Sequence, residues 1–449
     1  MLLNPAECQV LAERIIRLTQ ADEVAVHLDS LQHCHTRYAN NGVTTAGLTT
    51  DLTIEIEVTK DRKSGSVTTS EASDAALARA VRQAEAIAEL ALPDPEYVEP
   101  LGPQEYPAIP AFYEESATAR SPQILPAVRS VIEAAQKAQV NAYGYYDLSA
   151  RAQAIANQRG LFGYHRSTWA SYSVTARTLD GTGSGWAEDA SPRVSQVSPA
   201  RVGSTAIRKC LESQNPQRLE PGKYTVILEP AALQEMLQFL ASSFSARAAD
   251  EGRSFLSKPG GGNLQGEQVF GENVTLRSDP FDPRTPGSPW SAGRGFFFGG
   301  GGAADWIPAE RIVWVEKGVV KNLFYNRYWA QKNEQKPTPV PSRVILDGGT
   351  ATLEDLIAST ERGLLVTRFW YIRFLQPQTV QLTGLTRDGV FYIEKGKINH
   401  PVTNFRFNES TVNVLKNIEA MTPAVPVDND ILPAVKVREF NFSSVSDAI

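Results

Sequence analysis

The residues of this chain whose chemistry could serve a reaction or a ligand fall in a few places. Glu235 stands in the run Gln234-Glu235-Met236-Leu237-Gln238-Phe239. A lone helical glutamate is usually a solvated residue, and its functional use would be as a base or as an anchor for a peptide. Arg368, Arg373 and Arg387, the last followed by Asp388, form a second group. A guanidinium offers a rigid two-pronged fork to a carboxylate, so one of these could grip a peptide C-terminus or an acidic side chain. Structural ion pairs are the commoner use of such residues. Tyr164 and His165 sit among Tyr143, Tyr145, Tyr146, Trp169 and Tyr172, a set that could line a peptide cleft, although sheet faces collect aromatic residues for packing alone.

Metal chemistry has less to work with. A catalytic zinc takes about three protein ligands and keeps one position open for water. Neither glutamine nor phenylalanine replaces an imidazole, and the histidines nearest Glu235 in sequence are His165 and His400. No metal ligand is therefore assigned. The glycines at 260–262 do not make a phosphate-binding loop, because Lys258 precedes them where that motif places its lysine after. The second run, Gly293 to Gly302 with Phe296 to Phe298 inside it, reads as a hydrophobic lid or a loop tucked into the core.

The elements that must position these groups follow from periodicity. Tyr224, Val226 and Leu228 alternate with Thr225 and Ile227, a strand that stops at Glu229-Pro230. A helix follows with Leu233, Leu237, Leu240, Phe244 and Ala248 on one face. Earlier, a helix begins at Asn4-Pro5 and runs to about Thr19. Strands follow at 24–28, at 34–47 with a turn at Asn40-Asn41-Gly42, and at 52–59, with a helix over 70–91. Six prolines between Leu92 and Ala111 mark a connector. A helix from Ser121, strands at 141–148, 152–156 and 167–179, and a helix over 195–210 make a middle region. Beyond 219 come a hairpin at 311–323, a short helix at 352–361, a strand at 363–373, a turn at 383–389 and a hairpin at 390–402. The fold class is α+β: a small N-terminal module (1–91), the proline-rich linker (92–111), a middle helix-plus-sheet region (112–218), and a large C-terminal domain (219–449) with a twisted, mostly antiparallel sheet around a central helix.

Composition narrows the function classes. With 50 acidic against 44 basic residues and a net charge of -6, the chain lacks the basic footprint of a nucleic-acid binder. Three widely spaced cysteines, Cys8, Cys34 and Cys210, suit a reducing cytosol better than a disulfide framework. No secretory signal or membrane-length apolar run is visible, and a cytoplasmic location is expected.

Several strings resemble the TldD/PmbA family, once called modulators of DNA gyrase. They are the strand and helix around Pro230, Arg37 with Asn41-Gly42, Asn157 with Gly160-Leu161, Asn273 to Pro280, Arg311 to Leu323, and most specifically Val390 to Val402. In this family, TldD-like members carry a zinc-binding His-Glu-x-x-x-His on that helix and a cysteine near the C-terminus. The frame falls here on Gln234 to Phe239, without either histidine, and no cysteine follows Cys210. The resemblance is thus closer to the PmbA-like members that lack the pair. It implies a non-metal-binding subunit of a cytosolic peptide-processing metalloprotease, contributing substrate binding and assembly. Zinc would reside in a partner subunit, Glu235 would be vestigial, and the assembly would be a homodimer or a heterodimer with a metal-bearing chain. A divergent active metallopeptidase and a standalone homodimeric peptide-binding scaffold are the alternatives.

Overall fold

The computed structural model describes residues 2–291 and 306–446. The glycine and phenylalanine run at 293–302 lies outside the described residues.

Helix α1 (Pro5–Leu18) opens on a reciprocal cap: Asn4 accepts from the Glu7 amide while Glu7 accepts from the Asn4 amide. Its buried stripe is Cys8, Leu11, Ala12 and Ile15. Strands β1 (Glu23–Ala39) and β2 (Gly42–Lys60) turn at Asn40-Asn41, both left-handed, a conformation asparagine tolerates. After β3 (Lys63–Thr69) and α2 (Asp74–Leu90), residues 92–111 run without helix or strand. Then follow α3 (Glu114–Thr118), α4 (Ser121–Lys137), β4 (Val140–Asn157), β5 (Phe162–Thr178), β6 (Ser184–Ser191) and α5 (Pro199–Glu212).

These six strands form one antiparallel sheet in the order β3-β2-β1-β4-β5-β6, in which β1 pairs with β4 from Ala25–Asn157 to Tyr38–Gly144. Period-two alternation sends one set of side chains under the helices. Val24, Val26, Leu28, Ala154 and Ala156 pack with residues of α1 and α2, while Tyr38, Leu148, Tyr172 and Val174 pack with α4 and α5. The opposite face carries His27, Asp29, His33 and His35 on β1 and His165 on β5.

The C-terminal part begins with β7 (Gly222–Leu228), α6 (Pro230–Leu240) and α7 (Ala246–Asp250). It continues through β8 (Leu276–Ser278), β9 (Ile312–Glu316), β10 (Val319–Val320), α8 (Arg327–Lys332), β11 (Val344–Leu346) and α9 (Leu353–Ala358). It closes with β12 (Arg362–Gln376), β13 (Gln381–Glu394), β14 (Lys397–Pro401), β15 (Phe405–Ser410), α10 (Thr411–Lys416), β16 (Ile418–Met421), β17 (Val425–Val427), β18 (Asp430–Leu432) and β19 (Val435–Val445). One sheet runs β12-β7-β19-β15-β13-β14 and a smaller one β10-β9-β8-β11-β18-β17. Leu233, Met236, Leu237 and Leu240 of α6 are buried in a core that also takes residues from both of these sheets, so the apolar helix is central.

The α+β class and the turn at Asn40-Asn41 agree with the sequence expectations, and several elements differ. The central helix stops at Leu240 instead of reaching Ala248: a short 3₁₀ turn covers Ala241–Phe244, and Ser245 caps α7 by accepting from the Ala248 amide. Serines at 242, 243 and 245 favour local caps over helix interior. The segments 24–28 and 34–39 are one strand, as are 42–47 and 52–59, and 141–148 and 152–156, since nothing between them supplies a turn. Strand β6 was not anticipated. The expected turn at 383–389 lies inside β13. Asp388 and Gly389 there do take positive φ, but within a ladder whose reversal sits at Pro377–Val380.

Candidate functional site

Strand β7 pairs in parallel with β12 only as far as Leu228 opposite Val366. Pro230 then turns the chain into α6, and β12 continues without that neighbour. The Phe369 amide on this abandoned stretch donates to Glu235 Oε2 at 2.6 Å. Glu235 is therefore not the solvated helix residue expected from sequence. It is half-buried and caps a strand edge, because a backbone donor left without a ladder partner needs an acceptor.

Around it lies a polar junction between the first sheet and the C-terminal part. Arg368 donates from Nε to Asp388 Oδ2 at 2.9 Å, and its guanidinium lies 4.5 Å above the ring of Trp186 on β6. Asp388 is fully buried and also accepts from Ser184 Oγ at 2.5 Å, with Arg387 Nε 3.8 Å away. Glu188 on β6 faces the same group. Nearby, Lys209 of α5 pairs with Glu229 at 2.5 Å, tying the same two parts together.

Burial dominates the acidity of these groups. It pushes the Glu235 carboxyl up to about 8, helped by Glu188 and Asp388 and opposed by Arg368 and the Phe369 amide. It pushes Glu188 up to about 7, with Asp428 and Asp189 adding to the effect and Arg368 opposing it. Asp430 rises to about 6 through burial and Asp428, against the Val344 amide, Gln234 and Arg343. His165 falls to about 4, through burial and the charge of Arg343. Two carboxyls poised near neutrality beside one arginine suit proton exchange or the capture of a polar group.

Of the residues singled out from sequence, Glu235, Arg368 and Arg387 meet at this junction. His165 reaches it indirectly: it packs edge-on to Trp290 at 6.3 Å and feels Arg343, which in turn lies 5.8 Å from the ring of Trp169. Its Nε2 is buried without a hydrogen-bond partner among the described residues. Arg373 points away, 4.3 Å over the exposed ring of Tyr371. Tyr164 is on the other face of the sheet, donating to the Leu3 carbonyl at 2.8 Å. Trp186, Glu188, Arg343, Asp428 and Asp430 were not legible as site residues. The two aspartates gain a role only from tertiary placement: Asp430 accepts from the Gln234 amide, and the charge of Asp428 bears on Glu188. A cavity of about 920 Å³ lies elsewhere, lined among others by Glu96, Tyr97, Arg247, Tyr325 and Trp329, and contains no member of this cluster.

The zinc frame can now be tested on geometry. Gln234 directs its amide to Asp430 at 3.5 Å, and Phe239 is buried edge-to-face against Phe374 at 5.1 Å. Neither position offers a ligand, so the side chains of this frame do not fit a zinc ion. Among the described residues no group of three or more His, Cys, Asp or Glu side chains is placed to hold a metal.

A first six-stranded sheet backed by helices is thus joined through a charged junction to a two-sheet domain built on one apolar helix. The domain models agree along the chain: PmbA/TldA metallopeptidase domain 1 matches residues 32–88, the central domain 103–214 and the C-terminal domain 221–444. The chain belongs to the TldD/PmbA family. TldE from Thermococcus kodakarensis is similar in structure, with 19% identity, a TM-score of 0.84, and 96% of this chain and 100% of that one covered. A proposed modulator of a DNA gyrase from Thermotoga maritima shares 18% identity at a TM-score of 0.82, covering 97% and 100%. Another from Bacteroides thetaiotaomicron shares 19% at 0.80, covering 97% and 99%. At these identities the likeness concerns the fold. A search of the curated proteins finds no match.

Proposed function

We propose that this chain is the non-metal-binding subunit of a cytosolic peptide-processing protease of the TldD/PmbA type, supplying substrate grip and assembly to a metal-bearing partner. One observation carries the reading. In the helix frame where TldD-like relatives hold zinc, Glu235 is spent on the Phe369 amide and Phe239 on the aromatic core. Arg368, with Trp186 beneath it and Asp388 behind it, is then the preorganised group that meets a carboxylate or backbone carbonyl of the peptide. The test is zinc content and peptide hydrolysis, measured on the purified chain and again after mixing with a homologue that carries the intact histidine pair. The chain alone is expected to hold no stoichiometric zinc and to cleave nothing, and the mixture to cleave. About one zinc per chain, or chelator-sensitive cleavage by the chain alone, would refute the proposal.

The carboxyls of Glu188 and Glu235, pushed up toward neutrality by burial, favour a second reading, a divergent hydrolase working by general acid–base chemistry. Metal-independent cleavage by the isolated chain, abolished by Glu188→Gln, would select it.

A further inference from the structure

The cavity of about 920 Å³ lies where the proline-rich linker passes between the first sheet and the C-terminal part, and its lining carries both signs of charge. Most of these charges are spent on one another. Glu23 accepts from the Tyr97 hydroxyl and lies 3.7 Å from Arg159. Glu96 takes both arms of the Arg247 guanidinium at 2.6 Å. Arg253 pairs with Glu251, and Arg327 donates to the Glu99 carbonyl. Two are left over: among the described residues neither the Arg62 guanidinium nor the Asp94 carboxylate has an ion-pair partner. Yet they are neighbours, because the Asp94 amide donates to the Arg62 carbonyl at 2.8 Å. Both backbones are fixed. Arg62 is left-handed in the turn between β2 and β3, and Asp94 stands between two prolines and accepts from the Glu96 amide at 2.8 Å.

We infer that this cavity binds a short zwitterionic peptide of two or three residues, whose terminal carboxylate meets Arg62 and whose terminal ammonium meets Asp94. A simple anion or cation gains from one of these groups and is repelled by the other, whereas a ligand carrying both signs gains from each. The backbone contact between Arg62 and Asp94 holds the two charges close together. Two or three residues span at most about 7–11 Å, so a longer extended chain cannot bring both termini to them. The volume is near the upper end for small-ligand pockets and holds a single amino acid only loosely. Tyr97, Tyr328 and Trp329 supply a wall for an apolar or aromatic side chain. Arg247, 6.0 Å from the Tyr328 ring and 5.6 Å from that of Trp329, is neutralised by Glu96, so the wall adds no free charge. The inference does not rest on the protease reading. It needs neither a partner nor cleavage, and binding by the chain alone tests it, so either can fail without the other.

The experiment is calorimetric titration of the full chain with the dipeptide alanyl-phenylalanine, its N-acetyl form and its C-terminal amide, for the natural sequence, Arg62→Gln and Asp94→Asn. The natural chain is expected to bind the free dipeptide saturably and each capped form at least about tenfold more weakly, since each cap removes one charge-assisted contact. Arg62→Gln should weaken the free dipeptide and erase the penalty of the amide cap alone. Asp94→Asn, which keeps an acceptor for the Glu96 amide, should erase the penalty of the acetyl cap alone. A folding defect would instead weaken all three ligands together, and the melting temperature should not change because neither side chain has an ion-pair partner to lose. No saturable binding to the natural chain, capped forms that bind as tightly as the free dipeptide, or folded variants that keep both penalties would each overturn the inference.

Discussion

Glu235 shows how far a residue's role can move from its type. As a carboxyl with a folded pKa near 8, it binds more protons in the folded than in the unfolded chain between about pH 4.5 and 8, so its contribution is complete in acid and is lost as the pH rises through 8. Glu235→Gln keeps an acceptor for the Phe369 amide and cannot ionise. Urea unfolding should therefore find the natural chain losing stability between pH 5.5 and 8.5 relative to Glu235→Gln, and equal pH slopes would contradict the assignment. Glu235→Ala strands the amide and should cost about 1–3 kcal/mol. At Arg368 the loss is larger, since Arg368→Leu removes the main partner of a fully buried Asp388. About 3 kcal/mol is expected, partly recovered by adding Asp388→Asn, and a double-mutant cycle with no coupling would show the pair to be incidental.

Among the elements, β6 decides whether the site exists, because it carries Ser184, Trp186 and Glu188 to the junction. It lies against α5 through Gly185, where a Cβ would fall 2.2 Å from the Ala206 carbonyl of α5. Backbone cannot yield as a side chain does. Gly185→Ala should cost about 3 kcal/mol and return the acidity of Glu188 toward the ordinary carboxylate range, as read by carboxyl NMR titration. An unshifted Glu188 in a folded variant would show that β6 is held by other means. The helix break has a milder signature: Ser245→Ala should cost about 1 kcal/mol by uncapping α7.

For the whole molecule, the pairing of β1 with β4 has a consequence for how the chain can be divided. Val24, Val26 and Leu28 share their core with Ala154 and Ala156, so a fragment of residues 1–91 would expose a long strand edge and half of that core. It should be unfolded by circular dichroism, whereas residues 1–218, which keep the complete first sheet, should give a folded spectrum. A cooperative melt from the short fragment would show the β1–β4 pairing to be dispensable.

The sequence alone determined the elements whose signals are local. The cap at Asn4, the left-handed turn at Asn40-Asn41, the strand-to-helix switch at Pro230 and the hairpin after Glu394 each depend on residues a few positions apart, and the family resemblance rested on such strings. Even the Thr352–Asp355 box, with aspartate in place of the preferred glutamate, forms both of its bonds. What only the tertiary structure decided is which charges meet. Tyr164 and His165 are adjacent in sequence and part to opposite faces, because strand side chains alternate. Glu188, Glu235, Arg368 and Asp388 are spread over 201 positions and converge because β7 ends before β12 does. Their acidities then follow from burial, a property of the packed junction that no residue carries by itself.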